Sequence, residues 1–491
     1  VSPPQTLVEL LRAAAAAHPD HDAYVEQGRR LTYAELDAAA DGVAALFVDA
    51  GVCPGDVVAL LLPSSIDYAV CYHAAMRLRA ITSGINPRLG PREIDSILDR
   101  TEPKVLVCDD GIEPRRSSAV VVTRPALLDA TVRPAPALPA AQRSDPVAIV
   151  WTSGTTGMPK GAVFDHENLE AVSIGAGAIG APYDRRLAPI PFAHVGYMSR
   201  AWEEVAKVIT TIIPATPWKA DDTLRLMESE RVTVGQGVPT QWRLMFDHPS
   251  FATTDLSWLR IAGTGAATVP PDLVREMEQR LGVPVVIGYT STEAAITTGT
   301  VPGDSPDVIS RTVGRARENV ELEIVDDDGR PTATGEVGRV RCRSRAVMRG
   351  YWRDPERTAE VLDTDGWLTT GDLGFLDAHG YLTLVGRRSE MYIRGGYNVY
   401  PAEVEKVLSE HAGVAQAAVL GAPDPVLGEI GVAFVVAAPA AAPSLDELRA
   451  WCRRQLADYK APDRLVLVDA LPVTSVGKID KLALSTHVTN T

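Results

Sequence analysis

The 491-residue sequence predicts an α/β fold in two parts, on three observations. Short apolar runs bounded by turn residues, at 57–62 and 105–108, alternate with helical stretches such as 67–78. Such alternation predicts a large N-terminal domain of mostly parallel sheet flanked by helices. Beyond Gly314 the texture changes to strand pairs at 321–325, 335–342 and 380–385 around the turn Asp326-Asp327-Asp328-Gly329, which predicts a small β unit. From Ser389 a helix opened by Pro401, strands near 417–420 and 432–437, and a helix at the capping box Ser444-Leu445-Asp446-Glu447 predict a small α+β module. A chain of this length exceeds one core at roughly 100–200 residues per domain. The expected division is 1–387 and 388–491.

Taken in order, residues 6–18 carry a helical apolar pattern closed by Pro19, and Thr32-Tyr33-Ala34-Glu35 is a capping box opening a helix toward Gly51. The Pro/Ala stretch 131–144 is an internal joint. A helix is expected over 165–173. Gly175 to Gly180 fits G-x-G-x-x-G, but it follows a helix and ends in Ala181-Pro182, whereas a dinucleotide fingerprint follows a strand and opens a helix. The apolar loop 189–199 holds one imidazole, His194, and precedes a helix with Trp202, Glu203 and Glu204. Three strand-to-loop transitions, at 232–240, 261–270 and 283–288, end where ligands lie in open α/β sheets.

Composition narrows the function. Hydrophobic residues at 46%, charged residues at 23% and a mean hydropathy of zero describe a globular protein with no uninterrupted membrane span. Five scattered cysteines form no disulfide framework or zinc pattern, so a reducing cytoplasm is expected, and no signal peptide is visible. A net charge of −15 argues against a nucleic-acid partner. Anionic ligands must therefore be caught by local devices.

The chief such device is Thr152-Ser153-Gly154-Thr155-Thr156-Gly157-Met158-Pro159-Lys160-Gly161, directly after the apolar strand Ile149-Val150-Trp151. Glycines let backbone N–H groups face an anion, hydroxyls add donors, and Lys160 adds charge. Its spacing is not that of a Walker loop. Further motifs follow in order: Gly288-Tyr289-Thr290-Ser291-Thr292-Glu293, Gly335-Glu336, Gly350-Tyr351, Thr370-Gly371-Asp372, Gly386-Arg387, Gly395-Gly396-Tyr397-Asn398-Val399-Tyr400-Pro401, and Pro472-Val473-Thr474-Ser475-Val476-Gly477-Lys478-Ile479. Together they resemble the adenylate-forming superfamily of acyl-CoA synthetases, nonribosomal-peptide adenylation domains and luciferases. An AMP-forming acyl-CoA synthetase is the branch they resemble most.

The resemblance implies a β-barrel-like unit in the large domain and a mobile C-terminal lid. It implies ATP, Mg²⁺ and coenzyme A as cofactors, with a small carboxylic acid as substrate. Thr152, Ser153, Gly154, Thr155, Thr156, Gly157 and Lys160 would hold the β- and γ-phosphates, Thr292 the α-phosphate and Glu293 the metal. Tyr289 would stack on adenine, and Asp372 and Arg387 would hold ribose. Lys478 would bridge acid and α-phosphate, where two anions meet and charge develops. His194, after a Phe-His pair interrupted by Ala193, would line the acid pocket and take part in catalysis. Val195, Gly196, Tyr197, Gln236, Gly237, Val238, Gly263, Thr264, Gly265, Gly288 and Ile296 would join it in the pocket. Ser389 stands at the expected hinge, where relatives commonly carry Asp or Lys, and Gly395, Gly396 and Tyr397 would line a pantetheine tunnel. Arg79 stands where relatives have a Leu-Gly-Ala-like step and is expected to affect packing. Three readings compete: an acid:CoA ligase, a stand-alone adenylation enzyme loading an acyl-carrier protein, and a degenerate binder, which the intact Lys160, Glu293, Asp372 and Lys478 oppose. An α-amino acid is disfavoured because 191–199 has no Asp, although Glu203 or Glu204 could pair a β-amino group. Monomer and homodimer are both open.

Overall fold

The computed structural model describes residues 4–109, 119–152, 159–265, 269–439, 442–474 and 478–488. The N-terminal region is built on two large sheets. Seven strands run in the order Gly350–Tyr351, Lys160–Asp165, Pro146–Thr152, Ile81–Gly84, Val57–Leu61, Val105–Cys108, Val120–Thr123, with the last five parallel. A nine-stranded sheet contains the parallel row Ile261–Gly265 between Val234–Gly237 and Val285–Tyr289. Buried parallel strands must be apolar on both faces, and 57–61 is buried throughout.

Local signals explain the helices between the sheets. Thr32 accepts from the Glu35 amide at 3.2 Å while Glu35 accepts from Thr32 at 2.8 Å, the reciprocal box that starts Tyr33–Asp49. Thr6 and Ser65 cap Leu7–Ala17 and Ile66–Arg77 by accepting from the Glu9 and Tyr68 amides. These helices share the main core with Tyr68, Tyr72 and Phe164. The segment 175–180 ends the helix His166–Gly175 and continues as a single 3₁₀ turn, so it opens no dinucleotide site.

Arg79 has φ +56°, a conformation that favours glycine, and its guanidinium grips Asp145 through two bonds of 2.8 and 2.9 Å. The departure is thus a packing device that ties the turn to the strand carrying Thr152. The small β unit is a four-stranded antiparallel sheet, ordered Glu321–Val325, Gly338–Arg343, Leu368–Leu376, Leu382–Arg387. The following five strands form their own sheet with two separate hydrophobic clusters, starting at Tyr392. Lys481 bonds Glu390 at 2.6 Å and Glu405 at 2.8 Å, fastening the last helix to the start of this module.

Two scaffold histidines give the fold a pH dependence. Burial lowers His73 to about 3 and His166 to about 4, from an ordinary value near 6.5. Between those limits the unfolded chain binds protons the folded one refuses, so stability is full above about 6.5 and falls as pH drops toward 4. The melting temperature should hold from pH 8 to 7 and fall by pH 5, less steeply in His73→Leu. A flat profile would show that these imidazoles are not held neutral.

Candidate active site

The site assembles where the two large sheets and the C-terminal module meet. Thr152 ends its strand and pairs with Lys160, which begins the returning antiparallel strand of a hairpin. Ser153, Gly154, Thr155, Thr156 and Gly157 lie outside the described residues. The Thr152 hydroxyl is buried without a hydrogen-bond partner. A buried donor left unsatisfied is costly, and an anion at the hairpin tip would satisfy it.

Lys160 donates to the Tyr351 hydroxyl at 3.0 Å, its ammonium 4.6 Å from the ring centre, and Tyr351 in turn donates to Glu293 at 2.8 Å. Gly350–Tyr351 forms this link because it adds an antiparallel strand beside Lys160–Asp165. The Met348 amide also donates to the Glu293 carbonyl at 2.8 Å. Sequence reasoning assigned Tyr351 no role, although its Gly-Tyr motif was visible. One phenol thus sets the distance between a cation and a carboxylate. Tyr351→Phe keeps the ring but removes both bonds. Adenylation should fall about ten- to a hundredfold with an unchanged melting temperature, chiefly in turnover rather than in the KM for the acid. Unchanged turnover would make the phenol a passive filler.

Tyr289 ends its strand with its hydroxyl on Asp372, whose other oxygen faces Arg387 Nε at 3.2 Å across the paired strands. Burial pushes the Asp372 carboxyl up; Arg387, the phenol and Lys478 pull it back. Acceptor capacity is left on both oxygens.

Lys478 belongs to a short loop in which Thr474 accepts its N–H at 3.3 Å and donates its own N–H to the Lys478 carbonyl at 2.7 Å. The residue is exposed as a whole, yet desolvation of the ammonium, and next Arg387, lower its pKa, with Asp372 and Glu293 opposing. His194 feels it too: burial first, then Lys478, hold that imidazole at about 4, so it is neutral at physiological pH. Lys478, Asp372, Glu293, Arg387 and His194 are therefore electrostatic neighbours, although Lys478 comes from the C-terminal module and the other four precede it.

The residues expected to line an acid pocket divide. Strand register places Gln236 beside Gly263 and Val286, and Gly265 beside Gly288 and Gly299, all on one face. Among the described residues, no side chain comes within 4 Å of where a Cβ at Gly265 or Gly288 would stand. Gly237 and Thr264 are one residue out of phase and project to the opposite face, where Trp242 lies 3.2 Å from a Gly237 Cβ. Their side positions do not line that floor. Val238 starts the helix Pro239–Asp247, and Ile296 packs against Gly175.

The inserted Ala193 lets Phe192 turn inward and stack on Tyr197 at 3.5 Å, while Tyr197 meets the Tyr24 hydroxyl at 3.0 Å. Tyr197 and Val195 are core beneath the loop; His194 caps one helical turn with Gly196 donating to Nδ1 at 3.1 Å. Glu203 is gripped by Arg200 and Arg186, and Glu204 accepts from Tyr24 at 3.2 Å. Both carboxylates are buried, and among the described residues Glu203 keeps one oxygen, Oε1, without a hydrogen-bond partner.

Gly395 and Gly396, at φ +57° and +87°, form the two-residue turn joining Tyr392–Arg394 to Tyr397–Val399. A Gly396 Cβ would meet nothing within 4 Å, and exposed Tyr397 stacks on Tyr459 at 4.6 Å. Ser389 lies exposed in the turn after Arg387. Thr292 is half-buried beside Glu293.

Fold and site define an enzyme that activates an acid with a nucleotide. Residues 11–352 match the AMP-binding enzyme family and 403–478 its C-terminal domain, and the chain belongs to that adenylate-forming family. It is 37% identical, over 94% of its length and 95% of the relative's, to a (7a-methyl-1,5-dioxo-octahydro-1H-inden-4-yl)propanoyl:CoA ligase of Mycobacterium tuberculosis. It is 36% identical to a feruloyl-CoA synthase of Amycolatopsis, covering 95% of the chain and 96% of the relative. Among solved structures, ATP-bound MatB from Rhodopseudomonas palustris superposes with a TM-score of 0.89 at 30% identity, covering 98% of both chains. Among the described residues no helix is long and apolar enough to cross a membrane.

Proposed function

We infer that this chain is an AMP-forming carboxylic acid:CoA ligase. In the first step a carboxylate oxygen attacks the α-phosphorus of ATP, the bond to the β-phosphate breaks, and acyl-adenylate and pyrophosphate form. In the second, the CoA thiolate attacks the acyl carbon and AMP leaves. The observation that carries the reading is the placement of Lys478 among Asp372, Glu293, Arg387 and His194, with Lys160 tied to Glu293 through Tyr351.

Two anions must meet in the first step, so cations have to be in place beforehand. Lys160, the Thr152 hydroxyl and the loop after it would hold the β- and γ-phosphates; Thr292 and Lys478 would hold the α-phosphate, and Lys478 would also orient the acid. Asp372 and Arg387 would take the ribose hydroxyls and Tyr289 the adenine. The second Glu293 oxygen carries no protein hydrogen bond, and no other carboxylate joins it in a metal-binding group among the described residues. One hard ligand beside phosphates fits Mg²⁺, which would neutralise phosphate oxygens when bound.

The two relatives act on a fused-ring diketone acid and on ferulic acid, and room for bulk of that kind is supported by Gly265 and Gly288, where no described side chain comes within 4 Å of a Cβ position. Residues 388–491 would act as a lid turning about Ser389, withdrawing Lys478 and bringing Gly395, Gly396 and Tyr397 to the thiol. Cysteines scattered in no disulfide or zinc pattern suit a reducing cytoplasm. Incubation with a panel of acids should give acid-dependent ATP–pyrophosphate exchange, and AMP plus acyl-CoA when CoA is added. Exchange with no CoA thioester, but with transfer to a carrier-protein phosphopantetheine, would replace the CoA reading with the carrier one.

A further inference from the structure

The floor of the acid site does not end in hydrocarbon. Gly299 pairs with Gly288 and shares its face, and a Cβ on Gly299 would stand inside the Arg317 guanidinium. The same guanidinium lies against Gly177, and the Arg317 Cβ is 3.6 Å from where a Gly175 Cβ would be. Two glycines thus make room for a cation on the acid-binding face. Arg317 reaches the Thr300 carbonyl, and the Thr300 hydroxyl accepts from the Ile287 amide at 2.9 Å, so the guanidinium lies against this edge of the sheet.

That cation is poorly compensated. Among the described residues its one hydrogen bond goes to the Thr300 carbonyl at 3.4 Å, and its Nε is buried without a partner. The charges acting on it are Arg200, which repels, and Asp304, which attracts; none of the charges around Lys478 is among them. Asp304 makes no ion pair with it and is occupied by the Tyr381 hydroxyl at 2.7 Å and the Val301 amide at 2.8 Å. Arg200, itself a guanidinium donating to Glu203, has no acceptor to offer. A half-buried guanidinium with an orphaned donor calls for an acceptor oxygen from elsewhere.

We propose that Arg317 selects the substrate: the acid carries an oxygen acceptor, a ketone or a second carboxylate, at the end remote from the carboxyl that is adenylated. This rests on the ligase reading above. A site that hydrogen-bonds such an oxygen rejects the hydrocarbon analogue strongly, because the guanidinium is then left buried and unpaired. If Arg317 only braced Gly177 against Gly299, all acids would be treated alike.

The test compares kcat/KM in ATP–pyrophosphate exchange for matched sets of acids on linear and aryl skeletons, with an oxo, a carboxylate or a methyl group at the remote end. One set is 6-oxoheptanoate, heptanedioate and 6-methylheptanoate. The oxygenated acids should lead by about ten- to a hundredfold, and whether oxo or carboxylate acids lead tells which acceptor the guanidinium takes. In Arg317→Met the lead should collapse to near unity while exchange with the methyl acid is kept or rises. Equal rates across each wild-type set, or a variant that slows every acid in proportion, overturns the proposal. Absence of exchange with every acid would instead sink the ligase reading. Should Arg317→Met fail to fold, the wild-type ratios decide alone.

Discussion

Replacing Lys478 with alanine should abolish adenylation, by on the order of a thousandfold, yet leave thioester formation from supplied acyl-adenylate within a few fold of wild type. The lysine matters only where charge builds on the α-phosphate and the incoming carboxylate. Its ammonium lies within the field of Asp372, Glu293 and Arg387, and its loop is closed by the Thr474 bonds, so it is delivered by a module with its own core. Thiol attack on an already formed adenylate expels AMP and needs no bridge between two anions. Measuring pyrophosphate exchange and thioester release on one preparation separates the steps. Equal loss in both would mean that the C-terminal module keeps one arrangement throughout.

Much of this was legible in the sequence because the signals are local. The capping boxes at Thr32 and Ser444 start helices where their spacing says they should. The strands at 105–108 and 321–325 coincide with their apolar or alternating runs. Tyr289, Asp372, Arg387 and Lys478 were named from motifs, and folding makes them neighbours.

What stayed hidden depends on which face a residue takes or on pairing across long separations. Gly237 and Thr264 sit in a strand-to-loop stretch that reads as pocket, but the two-residue period turns them toward Trp242. Tyr351 meets Lys160 from 191 positions away, and only strand addition beside the hairpin brings it there. Arg317 looks like any surface arginine until Gly299 and Gly177 are seen to make its berth. The Gly395-Gly396 pair reads equally as turn or tunnel; in the arrangement described, positive φ accounts for it.

Changing Glu293 to glutamine should lower turnover about a hundredfold and weaken the dependence on Mg²⁺, a loss typical of removing one preorganised electrostatic group. Glutamine is isosteric and its carbonyl can still accept from the Tyr351 hydroxyl, so the chain from Lys160 through Tyr351 survives in geometry while its negative end is lost. The defect should therefore appear in turnover and in the Mg²⁺ titration, with little change in the melting temperature. Combining it with Tyr351→Phe tests the linkage. If the phenol acts through Glu293, the double variant should be hardly slower than Glu293→Gln alone, because residues in one network do not contribute additively. Multiplying losses would mean that Tyr351 serves Lys160 independently, and wild-type activity with an unaltered Mg²⁺ response in Glu293→Gln would make that carboxylate structural.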